Sequence, residues 1–346
     1  MTENDLTSFE SAPEGHGRDN ERAHEVVVVG GGPGGLTTAL YTTRLNHDTA
    51  LVDRGGGRAA MMLDAHNIIG VPEEVSGMEF LQTATEQLEG YGTDIYRDTV
   101  TKISRTEESP PRFEVTTADE TLWSEAVVLA TGFNDIKPEP PLPRTGRGLH
   151  YCLHCDGYMF RDEPVYVMGY NDTAAYVAMI MLNFTDDVDL LLRGDHPTWS
   201  DQTDELIRAH PVDIVEENIV GIYKDDDNSN WLGGFEFEDG TSRDYKGGFA
   251  LYGSKYNNDL AEQLGCELND DGTVVVDENG RTSVEGVYAV GDLTPGNNQI
   301  PIAMGNGAKA GIAINKQLRT FPKSLDELAS DDFDELTDVA SATTDD

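Results

Sequence analysis

Short, unbroken runs of apolar residues recur along the chain and alternate with stretches of helical character. Val26–Val29 consists only of β-branched residues, which is typical of a strand buried on both faces of a parallel sheet. The segment Leu36–Leu45 has helical character, and Ala50–Val52 reads as a second strand that ends at Asp53. This order of strand, helix and strand predicts a βαβ unit.

Further elements of the same unit follow. Residues 76–90 carry the apolar spacing of an amphipathic helix. Strand-like segments lie at Val100–Ile103 and Arg112–Thr117, and Ala126–Leu129 is a further buried strand. A proline-rich stretch over residues 138–143 predicts a stiff connector between two domains.

The strand–helix–strand pattern then restarts. Pro164–Met168 predicts a strand, Gly169–Ala174 a turn, Ala175–Leu182 a helix and Val188–Leu192 a strand. Together these segments indicate a second βαβ unit. The chain therefore holds two copies of one nucleotide-fold unit.

The pattern after residue 253 indicates a return to the first unit. Strands are predicted at Thr273–Val276 and Val287–Val290, and a helix at Ala308–Leu318. We therefore predict an α/β fold with two Rossmann-like three-layer nucleotide-binding domains, the second inserted in the first. The predicted bounds are a flexible acidic segment at 1–23, the first domain at 24–136 and 254–322, the inserted domain at 137–253 and an acidic tail at 323–346.

The charge balance narrows the set of partners. The sequence has 64 acidic residues against 24 basic ones, for a formal net charge of −40. Such a charge repels phosphate backbones and anionic lipid, so we expect no nucleic-acid or membrane partner. An acidic coat with few lysines is typical of life in concentrated salt, where a short Debye length weakens self-repulsion. We interpret the charge as solvated surface and predict a halophilic protein.

Targeting signals and cysteine usage indicate a compartment. The sequence has no apolar run of the ~18 residues that a membrane span needs. Residues 1–22 have no hydrophobic centre of the kind that a secretory signal contains. The sequence has three cysteines, a low and odd number that argues against a secreted disulfide framework. These observations predict a cytoplasmic protein.

A glycine-rich turn joins the first predicted strand to the first predicted helix. Gly30, Gly32 and Gly35 fit the pattern G-x-G-x-x-G. Gly30 permits a tight turn, Gly32 lets the backbone approach a pyrophosphate, and Gly35 lets the helix pack close to the strand. Asp53 ends the next strand, where a carboxylate can accept hydrogen bonds from both hydroxyls of a ribose. The alternative is a glycine-rich turn without a ligand.

The pair Cys152 and Cys155 carries the candidate chemistry. Two thiols separated by two residues can close a small disulfide ring, and such pairs often contain one thiol with a lowered pKa. Zinc normally needs four ligands, and only Cys266 remains among the thiols, so no metal is predicted. Asp156 is a candidate proton donor or acceptor for a departing thiolate. The alternatives are that both cysteines are inert and buried, and that Asp156 is a solvated loop carboxylate. His154 can lie beside the thiolate or point away from it.

Several motifs occur in the order found in low-molecular-weight thioredoxin reductases, which the chain resembles over about residues 24–320. The CxxC pair followed by Asp-Gly, placed between two nucleotide folds, is the most specific of them. The motifs are Gly30–Gly35, Ala130–Gly132, Gly146–Gly148, Cys152–Gly157 and Gly286–Asp292.

The resemblance implies a homodimeric FAD enzyme that reduces a thioredoxin-like protein disulfide. It implies that FAD lies in the first domain, that Cys155 lies against the flavin, and that Cys152 attacks the partner disulfide while Asp156 handles the proton. The inserted domain would be the NAD(P)H-like one and would carry the CxxC. The residues that it implies around FAD are Gly30, Gly32, Pro33, Gly35, Asp53, Arg54, Arg58, Asn67, Val100, Thr131, Gly132, Gly291, Asp292, Gln299, Ile300 and Ala303.

The second nucleotide turn departs from the family pattern. Asn171 stands where a glycine normally admits the pyrophosphate, and Tyr170 adds bulk beside it. Of the arginine cluster that grips the 2′-phosphate of NADPH, only Arg193 is present. The segment Gly55–Ala60 also lacks the glutamine usual near the flavin. The donor is therefore left open between NADPH and reduced ferredoxin.

Two other functions stay open at the level of sequence. An FAD-dependent dithiol oxidase, which forms small-molecule disulfides with oxygen, would share the scaffold and would suit a weakened nicotinamide site. Such relatives tend to have histidine where Asp156 stands, which argues against this function. A non-catalytic flavin redox sensor is the other alternative, and the intact pair Cys152 and Cys155 argues against it.

Overall fold

The computed structural model describes residues 21–106 and 113–319. The predicted tail at 323–346 and most of the segment at 1–23 lie outside these residues. The strands are β1 (Glu21–Val29), β2 (Thr49–Val52), β3 (Asp94–Tyr96), β4 (Lys102–Arg105), β5 (Phe113–Thr116), β6 (Thr121–Leu129), β7 (Phe133–Asp135), β8 (Leu149–His150), β9 (Val165–Met168), β10 (Val188–Leu191), β11 (Asp213–Val215), β12 (Ile219–Lys224), β13 (Leu232–Phe237), β14 (Ser242–Asp244), β15 (Gly247–Ala250), β16 (Ser254–Tyr256) and β17 (Val287–Ala289). The helices are α1 (Pro33–Arg44), α2 (Gly77–Tyr91), α3 (Leu153–Asp156), α4 (Asp172–Met181), α5 (Asp201–Ala209), α6 (Asp259–Leu264) and α7 (Ile300–Leu318). None of the described helices is long and apolar enough to cross a lipid bilayer.

The first sheet has seven strands in the order β3-β2-β1-β6-β5-β4, and β17 pairs with the second half of β6. The central strand β1 is buried on both faces, because Val26–Val29 are each at most 5% exposed. Val26 and Val28 pack under α1, α2 and α7, whereas Val27 and Val29 pack towards β4, β5 and α6. The predicted parallel strands of the first unit are therefore confirmed.

The second sheet has five parallel strands in the order β11-β10-β9-β15-β8. Helices α4 and α5 cover one face, in a core that contains Ala178 and Ile207. The antiparallel sheet β12-β13-β14 covers the other face, where Phe235 packs on Tyr166. The α/β class with two Rossmann-like three-layer units is thus confirmed. Every strand from β8 to β15 belongs to the second unit, which supports the predicted insertion, and the bounds at 137 and 253 stay predictions.

Some predicted element bounds differ from the structure. Strand β1 begins at Glu21, so the last residues of the predicted flexible segment belong to a strand. They do so because strand β6 extends far enough to pair with them. The predicted strand Thr273–Val276 is wrong. The backbone N–H groups of this segment donate to loops and turns rather than to a neighbouring strand. The Thr273 N–H donates to the Asp271 side chain, and Val274 forms only a single isolated β-bridge, to Leu268. Helix α7 begins at Ile300 rather than Ala308, with a proline in its first turn, where its missing N–H costs nothing.

Candidate functional site

A cavity of about 530 Å³ opens beyond the carboxyl ends of β1, β2, β6 and β17. This edge of an open parallel sheet is where ligands bind in doubly wound folds. Cys152, Cys155 and Asp156 all line it. The predicted cofactor residues in the lining are Gly30, Gly32, Pro33, Asp53, Arg54, Arg58, Asn67, Val100, Thr131, Gly132, Gly291, Asp292, Gln299, Ile300 and Ala303.

The glycine turn between β1 and α1 has the shape that the sequence predicts. Gly30 has φ +109°, and a Cβ there would lie 2.4 Å from the Ala130 carbonyl oxygen. A Cβ on Gly35 would lie 2.0 Å from the Gly30 carbonyl oxygen, so Gly35 packs the helix on the strand and does not line the cavity. A Cβ on Gly32 would meet no protein atom within 4 Å. The open side of the turn therefore faces space that a ligand can fill.

The start of α1 is free of a side-chain cap. Gly32 is the N-cap and makes no side-chain hydrogen bond, and Pro33 is the first helical residue. The first N–H groups of a helix lack partners within the helix and carry a partial positive charge. They therefore suit an anion such as a pyrophosphate.

Asp53 fixes the glycine turn from the neighbouring strand. Its Oδ1 accepts a hydrogen bond from the Gly31 N–H at 2.9 Å, and its Oδ2 accepts one from the Gly55 N–H at 3.1 Å. Arg97 Nη1 lies 3.4 Å from Oδ2. The carboxylate thus already orients the backbone around the cavity, and contact with a ribose stays a prediction.

The dithiol pair enters the cavity from the second unit. Cys152 is the N-cap of the short helix α3 and Cys155 lies inside that helix, with the two sulfurs joined in a disulfide and the Cα atoms 5.4 Å apart. The Cys155 N–H donates a hydrogen bond to Cys152 Sγ at 3.1 Å. In the reduced protein this donor would stabilise a Cys152 thiolate. His154 is exposed and does not line the cavity.

Gln299 reaches both sulfurs from the start of α7. Its Nε2 lies 3.5 Å from Cys152 Sγ and 3.7 Å from Cys155 Sγ. Asn67 Nδ2 donates to Gln299 Oε1 at 2.7 Å and to the His154 carbonyl oxygen at 3.3 Å. The family resemblance implies that Asn67 and Gln299 lie beside FAD. The structure adds that Gln299 contacts both sulfurs and that Asn67 contacts Gln299.

Two histidines flank the Asp156 carboxylate. His150 Nδ1 lies 2.8 Å from Asp156 Oδ2, and His66 Nδ1 lies 3.7 Å from Asp156 Oδ1. Sequence reasoning missed His150 altogether and gave His66 no role at this carboxylate. The signal available was a histidine two residues before the first cysteine, at the end of β8. Asp156 is therefore anchored in the site rather than a solvated loop residue.

The family model "Pyridine nucleotide-disulphide oxidoreductase" matches residues 24–307, which is most of the chain. The chain belongs to this family. Members of its thioredoxin reductase group depend on FAD, and the chain is an FAD-dependent disulfide oxidoreductase.

The relatives within the family agree with the resemblance seen in the motifs. The chain is 29% identical over 317 residues to the thioredoxin reductase of Aquifex aeolicus, which covers 86% of this chain and 94% of that protein. The crystal structure of HlmI superposes with a TM-score of 0.78 at 29% identity, covering 93% of this chain and 97% of HlmI. The thioredoxin reductase from Streptococcus pyogenes superposes with a TM-score of 0.77 at 27% identity, covering 86% of this chain and 98% of that one.

The environment of Asp292 fits the FAD on which the family depends. Asp292 lines the cavity just after β17, and no described residue donates a hydrogen bond to its carboxylate. Burial raises the pKa of Asp292, a nearby Arg58 opposes the rise, and Asp135 adds to it. A partly buried carboxylate without a donor can be satisfied by ligand hydroxyl groups. Asp292 would therefore hold the ribityl chain, while the start of α1 would hold the pyrophosphate.

We expect Asp292→Asn to raise the melting temperature of the FAD-free protein and to weaken FAD binding. Because the folded-state pKa is raised, the stability that Asp292 contributes is complete below its unfolded pKa and is lost as pH rises through the folded value. The gain from Asn should therefore grow as pH rises above about 4, the unfolded value of the Asp pKa, and reach up to a few °C. Asp270→Asn, at an exposed carboxylate, is the matched control. Melting curves of the FAD-free proteins and FAD titrations measure both effects, and equal curves for the two variants would contradict the prediction.

In the second nucleotide turn, between β9 and α4, the protein's own side chains fill the place where a pyrophosphate would bind. Asn171 caps α4, since its Oδ1 accepts from the Ala174 N–H at 3.0 Å. Its Nδ2 donates to the Leu251 carbonyl oxygen at 3.0 Å. The ring of Tyr170 packs edge-on against Tyr252 with centroids 5.7 Å apart. The helix start that would hold a second pyrophosphate thus already has a cap.

The charges around this turn do not suit a nucleotide phosphate. Asp172 is the first residue of α4 and accepts hydrogen bonds from Thr203 Oγ1 at 2.5 Å and from the Ser200 N–H at 3.2 Å. Arg193, the remaining member of the expected arginine cluster, is only 8% exposed, and its Nη2 donates to the Pro140 carbonyl oxygen at 3.3 Å. Its Nε and Nη1 have no hydrogen-bond partner among the described residues. Its guanidinium lies under the connector rather than at the surface.

Proposed function

We propose that the protein is a thioredoxin-reductase-like enzyme that passes electrons from FAD, through Cys155 and Cys152, to a disulfide of a thioredoxin-like protein. The observation that supports this function most is the shared cavity. Both sulfurs line the same space as the residues expected to hold FAD. We also propose that the enzyme works as a homodimer in the cytoplasm.

Bound FAD would supply the two-electron exchange that regenerates the dithiol. The protein side of the reaction is then thiol–disulfide exchange. The Cys152 thiolate attacks one sulfur of the partner disulfide, which forms a mixed disulfide and releases the other partner sulfur as a thiolate. The Cys155 thiolate then attacks Cys152 Sγ, which closes the internal disulfide and releases the second partner thiolate. Two protons leave the enzyme thiols, and both partner sulfurs end as thiols.

The residues around the pair support these roles. The Cys155 N–H and Gln299 Nε2 are directed at Cys152 Sγ, so they would stabilise negative charge on that sulfur. Asp156 lines the cavity beside the pair and is held by His150. A carboxyl group in that place can take a proton from a thiol and return it to a leaving thiolate.

The choice of donor rests on the second nucleotide turn. The Asn171 cap, the Asp172 carboxylate and the buried Arg193 all disfavour the phosphates of NADPH. This arrangement supports reduced ferredoxin over NADPH as the electron source. It also suits the dithiol oxidase as a second candidate function, which needs no external nicotinamide.

The test compares the two functions on one preparation of the FAD-loaded enzyme in high salt. We expect enzyme that has been reduced with dithionite and freed of excess reductant to convert oxidised thioredoxin to its dithiol under anaerobic conditions. The measurement is the number of thioredoxin thiols formed per enzyme. A small dithiol supplied under air should cause little oxygen uptake. Rapid oxygen uptake together with unreduced thioredoxin would reject the reductase in favour of the oxidase.

A further inference from the structure

The Asp156 carboxylate has a buried histidine as its hydrogen-bond partner. His150 comes from β8 at the edge of the second sheet, and only 5% of its surface is exposed. Its Nδ1 lies 2.8 Å from Asp156 Oδ2. His66 approaches the other oxygen at 3.7 Å, which is too long for a hydrogen bond.

The surroundings of His150 fix which nitrogen carries the proton. The Gly148 N–H donates to His150 Nε2 at 3.4 Å, so Nε2 acts as the acceptor. The proton of the neutral ring is then on Nδ1, which donates to Asp156. Phe160, Phe249 and Trp231 surround the ring, with centroids 5.3, 6.2 and 6.3 Å away. The ring can neither rotate freely nor reach solvent without disturbing these contacts.

We propose that His150 is a positioning residue that holds the Asp156 carboxylate in the orientation needed for proton transfer. This inference rests on the proposed function of the same site. With Oδ2 held by His150, the other carboxylate oxygen is left for the thiol of the pair and for the leaving thiolate. The proton passes from an enzyme thiol to the carboxylate and then to the departing partner sulfur.

The test separates the hydrogen bond from the packing of the ring. His150→Phe keeps an aromatic ring among Phe160, Phe249 and Trp231 and removes the donor. His150→Asn loses the ring and keeps an N–H group close to the position of Nδ1. His196→Gln, at an exposed histidine outside the cavity lining, is the control. Melting temperatures establish that all three variants are folded.

The assay is a single turnover of the dithiothreitol-reduced protein with two small disulfides. Hydroxyethyl disulfide releases a basic thiolate that needs a proton, whereas dithiobisnitrobenzoate releases a stable thiolate that does not. We expect His150→Phe to slow the first reaction roughly tenfold and to leave the second within about twofold of wild type. His150→Asn should recover most of the lost rate, and His196→Gln should react like wild type with both disulfides.

Three results would overturn the proposal. They are equal losses on both disulfides in His150→Phe, no loss on either, and His150→Asn as slow as His150→Phe on hydroxyethyl disulfide. None of these results tests the proposed function, because the assay uses neither the natural electron donor nor a protein partner. If instead the wild-type enzyme fails to reduce thioredoxin but the disulfide selectivity of His150→Phe appears, the proposed function fails and the positioning role stands.

Discussion

Cys152→Ser and Cys155→Ser are each expected to lower the rate of thioredoxin reduction by a factor of roughly 10³ or more. A hydroxyl group cannot replace the sulfur, because the reaction forms and breaks S–S bonds at both positions. The measurement is steady-state reduction of a thioredoxin with a chemical donor of electrons. Cys266→Ser is the matched control, since Cys266 is a buried core residue whose thiol hydrogen-bonds only to Thr282 among the described residues. Burial raises the pKa of the Cys266 thiol, which keeps it unreactive.

The same variants reveal which sulfur attacks the partner. If Cys152 is the nucleophile, Cys155→Ser will still form a mixed disulfide with thioredoxin but will lack the thiol that resolves it. A thioredoxin that lacks its own resolving cysteine should then be trapped on Cys155→Ser and not on Cys152→Ser, as seen on a non-reducing gel. Trapping on Cys152→Ser alone would reverse the assigned roles. Full activity in either variant would remove the pair from the mechanism.

The parallel sheets could be predicted from sequence because their strands are buried on both faces. Three of their strands are runs of apolar residues with at most one polar residue, and each is buried along its length: Val26–Val29, Ala126–Leu129 and Val188–Leu191. The antiparallel strands β12–β14 gave no such signal, since their outer positions are exposed and their inner ones include glycines. Thr273–Val276 misled the prediction because an apolar run can also pack in a loop whose backbone is bonded elsewhere.

The candidate site was predictable where its chemistry is local in sequence. The glycine turn and the CxxC pair are each contained in a few residues, so their spacing alone predicts a pyrophosphate-binding turn and a redox pair. The contact of Gln299 with Cys152 joins residues 147 positions apart, and a single sequence carries no record of it. His150 lies near the pair in sequence, yet only the fold shows that its Nδ1 contacts Asp156 while its ring packs against Phe160 and Phe249. Arg193 likewise could be read as a surface phosphate ligand until its burial was seen.

NADPH at micromolar concentration is expected to bleach the flavin of the enzyme only slowly, while dithionite bleaches it at once. Each charge-assisted contact that is missing at the second turn costs about 1.5–3 kcal/mol, which weakens binding by about one to two powers of ten. The measurement is anaerobic flavin absorbance after mixing with NADPH, with NADH and with reduced ferredoxin, in high salt. Reduced ferredoxin should act faster than either nucleotide. Rapid bleaching by micromolar NADPH would contradict the inference that the second nucleotide turn excludes this nucleotide.

The response to NADH distinguishes the two possible causes of weak NADPH binding. If only the 2′-phosphate site were lost through the burial of Arg193, NADH would bleach the flavin well, because it carries no such phosphate. If the cap of α4 by Asn171 also excludes the pyrophosphate, both nucleotides will be slow. Asn171→Gly removes that cap at a cost of only a few tenths of a kcal/mol in helix stability and reopens the approach to the helix start. We therefore expect Asn171→Gly to speed bleaching by NADH more than by NADPH, since the Arg193 guanidinium still donates to Pro140 beneath the connector.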